Sequence, residues 1–375
     1  MKILIVGEYS GFAKYLSRGL RLLGHETFVF SWGDSFKSIV QDGNSYNVNV
    51  RPVMVCGRRS RVLSKLREMM SAIKLTCDVS HMKKEFDCAF IINFGFLQFN
   101  KNILKPRLTF DQIQSLLLNK DKVFLSACGG DYIYYRYYVE GMRDKICQYE
   151  LEKAKATIPI VKPIFISLIS KIKRITPITI DYEIAYKYFE KELDLPLGSI
   201  IPLPFDVDSV SFSNEIKDKI VVFHGVNRYY AKGSDYIIPA MEKLKKKYPD
   251  KVVTVVVERV PLNDYLRMMS SANIVVDQCY GCSSGMNAVE AMAMGKVVLG
   301  GNEPGNAESF GEKESPAINI MPDKEDIYSK LEDLVLNPEK IRELSIKSRE
   351  YVCRVHDCKK VAAQYVELFK EKYNN

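Results

Sequence analysis

Apolar residues recur along this chain in two alternating patterns. The first is a set of short continuous runs, each ending at a glycine or an acid: "KILIVGE" (Lys2–Glu8), "TFVFSWG" (Thr27–Gly33), "CAFIINFG" (Cys88–Gly95) and "KVFLSACGGD" (Lys122–Asp131). Such runs suit strands covered on both faces of a parallel sheet. The second is helical spacing: Phe12, Leu16, Leu20 and Leu23 lie on one face, and Gly24 ends the segment. The same rhythm returns after residue 215 with "DKIVVFHG" (Asp218–Gly225), "KVVTVVVE" (Lys251–Glu258), "NIVVDQ" (Asn273–Gln278) and "KVVLGG" (Lys296–Gly301), separated by helical segments such as "SDYIIPAMEKLKKKY" and "LNDYLRMMSSA". Strands alternating with helices, twice over, predict an α/β protein of two doubly wound, Rossmann-like domains. The Pro-rich "IIPLPFDVD" (Ile200–Asp208) is the natural linker, so the domains are expected over 1–200 and 201–375, with the last helix free to cross back to the first domain. Ligands of such sheets lie outside the strands' C-terminal ends, here in a central cleft.

Composition leaves that picture intact: 375 residues are enough for two cores, and 47% hydrophobic with 27% charged residues is usual for a soluble chain. The start reads as a first strand and no signal peptide, and no run approaches a membrane span. Nine cysteines, an odd number, argue for reduced thiols and a cytoplasmic location.

Charge is uneven. Residues 1–200 carry 30 Lys and Arg against 20 Asp and Glu, a net +10, whereas the remainder carries 24 against 26, a net −2. An anionic partner is expected for the first half, and without the patterns of RNA- or DNA-binding modules it is no nucleic acid. Two segments concentrate the bases. "RRSRVLSKLREMMSAIK" (Arg58–Lys74) and "KPIFISLISKIKR" (Lys162–Arg174) both set apolar residues at helical spacing beside cations, as peripheral helices on an anionic membrane do and as ordinary core helices also can.

The candidate chemistry lies in the second half. "GCSSGMNAVEAMAMGK" (Gly281–Lys296) holds one carboxylate, Glu290, within an apolar helix. Ser283 or Ser284 can cap that helix, Gly285 permits close backbone approach and Gly295 suits its C-terminal end. A glycine loop leading into a helix presents N–H groups to an anion, and a buried carboxylate needs partners such as sugar hydroxyls, with an ordinary helix glutamate on a narrow solvent face as the plain alternative. "HGVNRYYAKGSDYI" (His224–Ile237) puts Arg228 and Lys232 in a second strand-to-helix loop that Gly233 closes, which together suit a diphosphate.

These two stretches resemble the donor half of GT-B glycosyltransferases, nearest to the retaining family 4 enzymes of bacterial polysaccharide and glycan assembly. "MKILIVGEYSGFAKYLSRGLRLLGHE" and "KVFLSACGGDY" are similar to a branch of it. The resemblance implies a nucleotide-sugar donor, with Arg228 and Lys232 on its diphosphate, Glu290 on the ribose, and the backbone of Gly285 and Met286 on phosphate or sugar. It further implies a glycan or lipid-linked acceptor. No metal or other cofactor is expected, because Arg228, Lys232 and a helix dipole are already available for charge. Where the family often carries a sugar-binding Glu, eight residues before Glu290, this chain has Cys282, so either Ser283, Ser284 or Asn287 substitutes or the donor sugar is held differently. The family's N-domain histidine is not evident among His25, His81, His224 and His356. Asp131 is the N-domain candidate for a sugar or acceptor hydroxyl, with a turn or cap aspartate as the plain alternative. "DVD" (Asp206–Asp208) has the form of a metal-binding motif, but its place in the Pro-rich linker favours a connection. A same-fold sugar-nucleotide epimerase, or a non-catalytic sugar-nucleotide-binding subunit, are the alternatives.

Overall fold

In the computed structural model, residues 1–371 are described apart from 33, 35–38, 49–51, 57, 98–105, 144 and 259. The first strand, β1 (Lys2–Val6), buries four of its five residues, as an apolar run inside a covered parallel sheet requires. The helical stripe that follows becomes α1 (Phe12–Leu22), with Phe12, Leu16 and Leu20 inward. Gly24 leaves the helix at a φ of 80°, a conformation glycine adopts without strain.

The chain continues through β2 (Glu26–Ser31), β3 (Ser45–Asn47), a two-stranded antiparallel hairpin β4 (Met54–Val55) and β5 (Arg58–Arg59), then α2 (Arg61–Ser80), β6 (Cys88–Ile91), α3 (Phe110–Leu116), β7 (Val123–Ala127), α4 (Tyr132–Val139), α5 (Gln148–Ile169), β8 (Arg174–Pro177) and α6 (Ile180–Leu193). The six strands outside the hairpin pair in the order β3-β2-β1-β6-β7-β8, all parallel. The order reverses beside β1, which places a crevice at the C-terminal ends of β1 and β6.

The second half runs β9 (Ile220–Val226), α7 (Tyr229–Lys232), α8 (Ser234–Lys247), β10 (Val252–Glu258), α9 (Leu262–Ser270), β11 (Ile274–Val276), α10 (Met286–Ala293), β12 (Val297–Gly300), β13 (Ile318–Asn319), α11 (Lys324–Leu336), α12 (Pro338–Val355) and α13 (Cys358–Lys370). Its sheet is again parallel, in the order β10-β9-β11-β12-β13, and reverses between β9 and β11. The molecule is therefore α/β with two Rossmann-like sheets.

Helix α13 lies against the first sheet's α1. Gly19 has no room for a Cβ there, since one would come 2.0 Å from the Cys358 carbonyl oxygen. Tyr365 packs edge-on to Phe90, and Phe369 packs against Phe124. The connection between the halves is pinned as well: Asp206 pairs with Arg18 at 2.5 Å, and Phe205 bonds the backbone of His356 and Cys358. Asp206 of the "DVD" stretch is thus engaged by an arginine of α1.

The two basic segments part company here. Phe165, Leu168, Ile169 and Ile172 of the second are buried in the first domain's core, so that apolar face packs inward. The first keeps its apolar residues outside.

Candidate functional site

A cavity of about 250 Å³ lies where the two sheets' C-terminal ends face each other. From the first half it is lined by Tyr9 and Ser10 after β1, Gly129 and Gly130 after β7, and Thr179, Asp181 and Tyr182 after β8. From the second half come Arg228 after β9 and the loop that leads from β11 to α10, including Gly281 and Ser283 through Met286. This is the placement expected of doubly wound sheets, repeated on both walls.

The loop is shaped for an acceptor-rich ligand. Gly285 stands at the N-terminus of α10 in an extended conformation, with open space within 4 Å of where a Cβ would be. No side chain caps α10. The serines expected to do so have other surroundings. The Ser283 hydroxyl donates to the Asp181 carboxylate, and Ser284 Oγ is buried without a hydrogen-bond partner at the cavity wall. First-turn N–H groups and a helix dipole facing a cavity favour an anion there. Arg228, exposed and on the same wall, adds a full positive charge.

Lys232 is placed differently from Arg228. It is buried, and its Nζ lies 2.9 Å from Oδ1 of Asp277, equally buried at the end of β11. Asn287 Nδ2 donates to the same carboxylate oxygen at 2.8 Å, and its own Oδ1 accepts from the Tyr265 hydroxyl. Burial disfavours the charge of Asp277, but Lys232 and the amide outweigh it, so the carboxyl is held below its ordinary range. The side chains of Lys232 and Asn287 are therefore committed to a network beneath the loop, outside the cavity lining.

Gly233 is required by packing. It has a φ of 74°, and a Cβ there would come 2.0 Å from Cys279 Sγ. Its N–H bonds the Tyr230 carbonyl, so it closes the turn between α7 and α8. Beside it, His224 Nδ1 donates to the Val276 carbonyl at 2.7 Å and Nε2 accepts from Ser234. Burial and the Lys232 charge push this imidazole down to about 4, so it is neutral.

Glu290 is half-buried, on the face of α10 that also carries Asn287. It stands between the two halves. Burial, then its charge, pushes up the Tyr15 phenol of α1; burial, Asp277 and then Glu290 do the same to Tyr265 of α9. Its charge bears on residues of both halves, but Glu290 is not among the residues that line the cavity.

Asp131 does not face the cavity. It caps α4, accepting from Tyr134 N–H at 2.9 Å and from the Tyr186 hydroxyl at 2.7 Å, and burial pushes it up to about 6. The candidate role on a sugar or acceptor gives way to the cap reading, because both oxygens are already bonded inside the fold.

Two acids that motif reading passed over matter more. Asp181, in the first turn of α6, accepts from Cys282 N–H at 3.0 Å and from Ser283, joining one half's helix to the other half's loop. Lys145 makes a second crossing, to Glu303 at 2.6 Å. Glu8, at the end of β1, is fully buried and accepts from Gly11 N–H, Lys14 N–H and Gln41; burial pushes it up to about 7. Cys279 and Cys282 have the spacing of a Cys-x-x-Cys pair. Both are free, and burial raises both thiols, which leaves them unreactive. Among the described residues no group of three or more His, Cys, Asp or Glu is arranged to hold a metal ion.

Comparison with solved structures decides the architecture. The sucrose-phosphate synthase of Thermosynechococcus elongatus superposes with a TM-score of 0.61 over 99% of this chain and 98% of its own, at 14% identity. Anabaena HepE in complex with UDP and glucose gives 0.61 over 99% and 100%, at 13% identity. WaaG, a glycosyltransferase involved in lipopolysaccharide biosynthesis, gives 0.60 over 99% and 100%, at 12% identity.

The fold is GT-B.

Residues 217–367, the half that carries Arg228, Asp277 and α10, match the family model described as "Glycosyl transferase-like". A search of curated proteins finds no match. In the GT-B frame the cavity is the cleft between the two domains, and the loop into α10 belongs to the half that the family model covers.

Proposed function

We propose that the protein is a glycosyltransferase that takes a sugar from a nucleotide-sugar donor and passes it to a glycan or lipid-linked acceptor in bacterial polysaccharide or glycan assembly. The observation that carries this reading is the convergence of Arg228, the uncapped N-terminus of α10 and the unpartnered Ser284 hydroxyl on one cavity wall. The glycosyl transferase-like match over 217–367 and the Anabaena neighbour crystallised with UDP and glucose support it.

On this reading the diphosphate lies against Arg228 and the N–H groups at Gly285 and Met286. Ser284 bonds the diphosphate or the sugar, and Glu290 takes the ribose hydroxyls. As the glycosidic bond breaks, negative charge grows on the departing phosphate oxygen, where Arg228 and the helix N-terminus stabilise it most. Lys232 contributes through the loop it anchors and through its charge beneath that loop. Transfer proceeds with retention, the departing phosphate oxygen taking the acceptor's proton, with no enzymic nucleophile. No metal is required, because Arg228 and the dipole supply the positive charge. Action at the cytoplasmic face of a membrane fits a lipid-linked acceptor.

Thermal unfolding with UDP, GDP, ADP and CMP tests the donor site. A nucleotide at 100 times its Kd adds about 2.7 kcal/mol of stability. One of the four is expected to raise Tm in the wild type and to raise it less in Arg228→Ala. No shift with any of them rejects the site.

A further inference from the structure

The loop that carries Ser284 and leads into α10 is held from the opposite half. "GCSSG" (Gly281–Gly285) has a glycine at each end and short side chains between, so little in the segment itself fixes its backbone. Both polar groups of the Cys282 backbone are nevertheless engaged. Its N–H donates to Asp181 Oδ1 at 3.0 Å, and its carbonyl accepts from Glu303 N–H at 3.0 Å. The Ser283 hydroxyl donates to the other oxygen of Asp181. Glu303 is held in turn by Lys145, whose Nζ lies 2.6 Å from its carboxylate and 3.3 Å from the Ile320 carbonyl. Asp181 and Lys145, the outer members of this clasp, both belong to the first half. Asp181 is buried, and the Lys145 side chain is only 8% exposed.

The first turn of α6 suits Asp181 to the task, since the helix dipole favours a carboxylate there. Its neighbour Tyr182 accepts the Gly130 N–H on its hydroxyl at 2.9 Å. One helical turn therefore grips the glycine loop after β7 and the glycine loop before α10, one on each side of the cleft. Ser284 and Gly285 directly follow the clasped pair, and they bring the unpartnered hydroxyl and the uncapped helix N-terminus to the cavity. A shift of the backbone at Cys282 and Ser283 carries both with it. Arg228 stands on a different loop, after β9, outside this chain of bonds.

We propose that Asp181 is a positioning residue that sets the Gly281–Gly285 loop from across the cleft, so that the donor site of the second half is completed by the first. The inference rests on the nucleotide-sugar reading of the cleft.

Two measurements on the full-length protein test it. Amide hydrogen exchange without ligand is expected to quicken over Gly281–Gly285 in Asp181→Ala. It should stay near wild type in Asp181→Asn, whose side chain still accepts from Cys282 N–H and can donate to Ser283. Isothermal titration then uses whichever of UDP, GDP, ADP and CMP the wild type binds. Affinity is expected to fall about tenfold in Asp181→Ala, the loss of a hydrogen bond to a charged group. Ser284→Ala should weaken binding in the wild type but add little to Asp181→Ala, because the displaced loop has already withdrawn that hydroxyl. Arg228→Ala should keep its full effect in both backgrounds. If Asp181→Ala fails to fold, Ser283→Ala, which removes a single donor, carries the same two measurements with the same expected directions. The role is overturned if loop exchange matches wild type, if affinity is unchanged, or if the Asp181→Ala and Ser284→Ala losses simply add. A wild type that binds none of the four overturns the nucleotide-sugar reading and this role with it, whereas failure of the role alone leaves wild-type binding intact.

Discussion

Lys232 Nζ meets Asp277 Oδ1 at 2.9 Å, the lysine at the end of α7 after β9 and the aspartate directly after the neighbouring strand β11, with neither open to water. Removing one partner of such a pair leaves a buried charge uncompensated and costs about 3–5 kcal/mol. Asp277→Leu is therefore expected to be severely destabilised in urea unfolding. Asp277→Leu/Lys232→Met is expected to recover most of the loss, because an apolar pair of similar volume carries no desolvation penalty. A single variant as stable as wild type would show that the pair is not coupled.

Arg228 faces the cavity and is exposed, so Arg228→Ala should leave the fold unchanged. Its charge acts on a diphosphate that becomes more negative in the transition state. Turnover is expected to fall more than KM rises, by about 2.7 kcal/mol or more in barrier height. A change confined to KM would mean uniform binding and would remove the leaving-group role.

Glu290→Gln keeps the shape of the side chain and exchanges one acceptor oxygen for a donor. If the carboxylate takes ribose hydroxyls, nucleoside diphosphate affinity should drop by about 1.5–3 kcal/mol, the scale of a hydrogen bond to a charged group. Isothermal titration measures it directly. Equal affinity in both forms would return Glu290 to an ordinary interdomain acid.

His224 and His356 should stay neutral well below the usual imidazole range. Burial holds both at about 4, and His356 Nδ1 donates to the Leu203 carbonyl. Because the folded values lie below the unfolded one, each contributes stability that is complete above about pH 6.5 and is lost at about 1.4 kcal/mol per unit as pH falls toward 4. Glu8 and Asp131, raised by burial to about 7 and about 6, act in the opposite sense, and their penalty grows as pH rises through the same window. Bulk stability therefore mixes the two. Imidazole NMR separates them: neutral-ring shifts for His224 and His356 down to pH 5 are expected, and titration of either near 6.5 would contradict the burial argument.

Much of the fold was legible because apolar runs and helical stripes were long and regular. The "GCSSGMNAVEAMAMGK" stretch gave a helix between two strands, with Gly295 closing it at a φ of 79°. Partner choice was less legible. Asp277 ends the quoted run "NIVVDQ", yet only parallel pairing of β9 with β11 brings it to Lys232. Asp181 reads as a first-turn acid, and its contact with Cys282 lies 101 residues away. The two basic amphipathic segments show the same limit. Periodicity says that each has an apolar face, but only the packing says that α5 buries its face while α2 leaves its own in water.

The central claim is that the cleft cleaves a nucleotide-sugar bond, and following purified protein with a panel of nucleotide sugars by time-resolved proton NMR tests it most directly. Slow release of one nucleoside diphosphate together with free sugar is predicted for the wild type, with that release strongly reduced in Arg228→Ala. Interconversion of the sugar while it stays attached to the nucleotide, consumption of no donor, or equal release by Arg228→Ala would contradict the account.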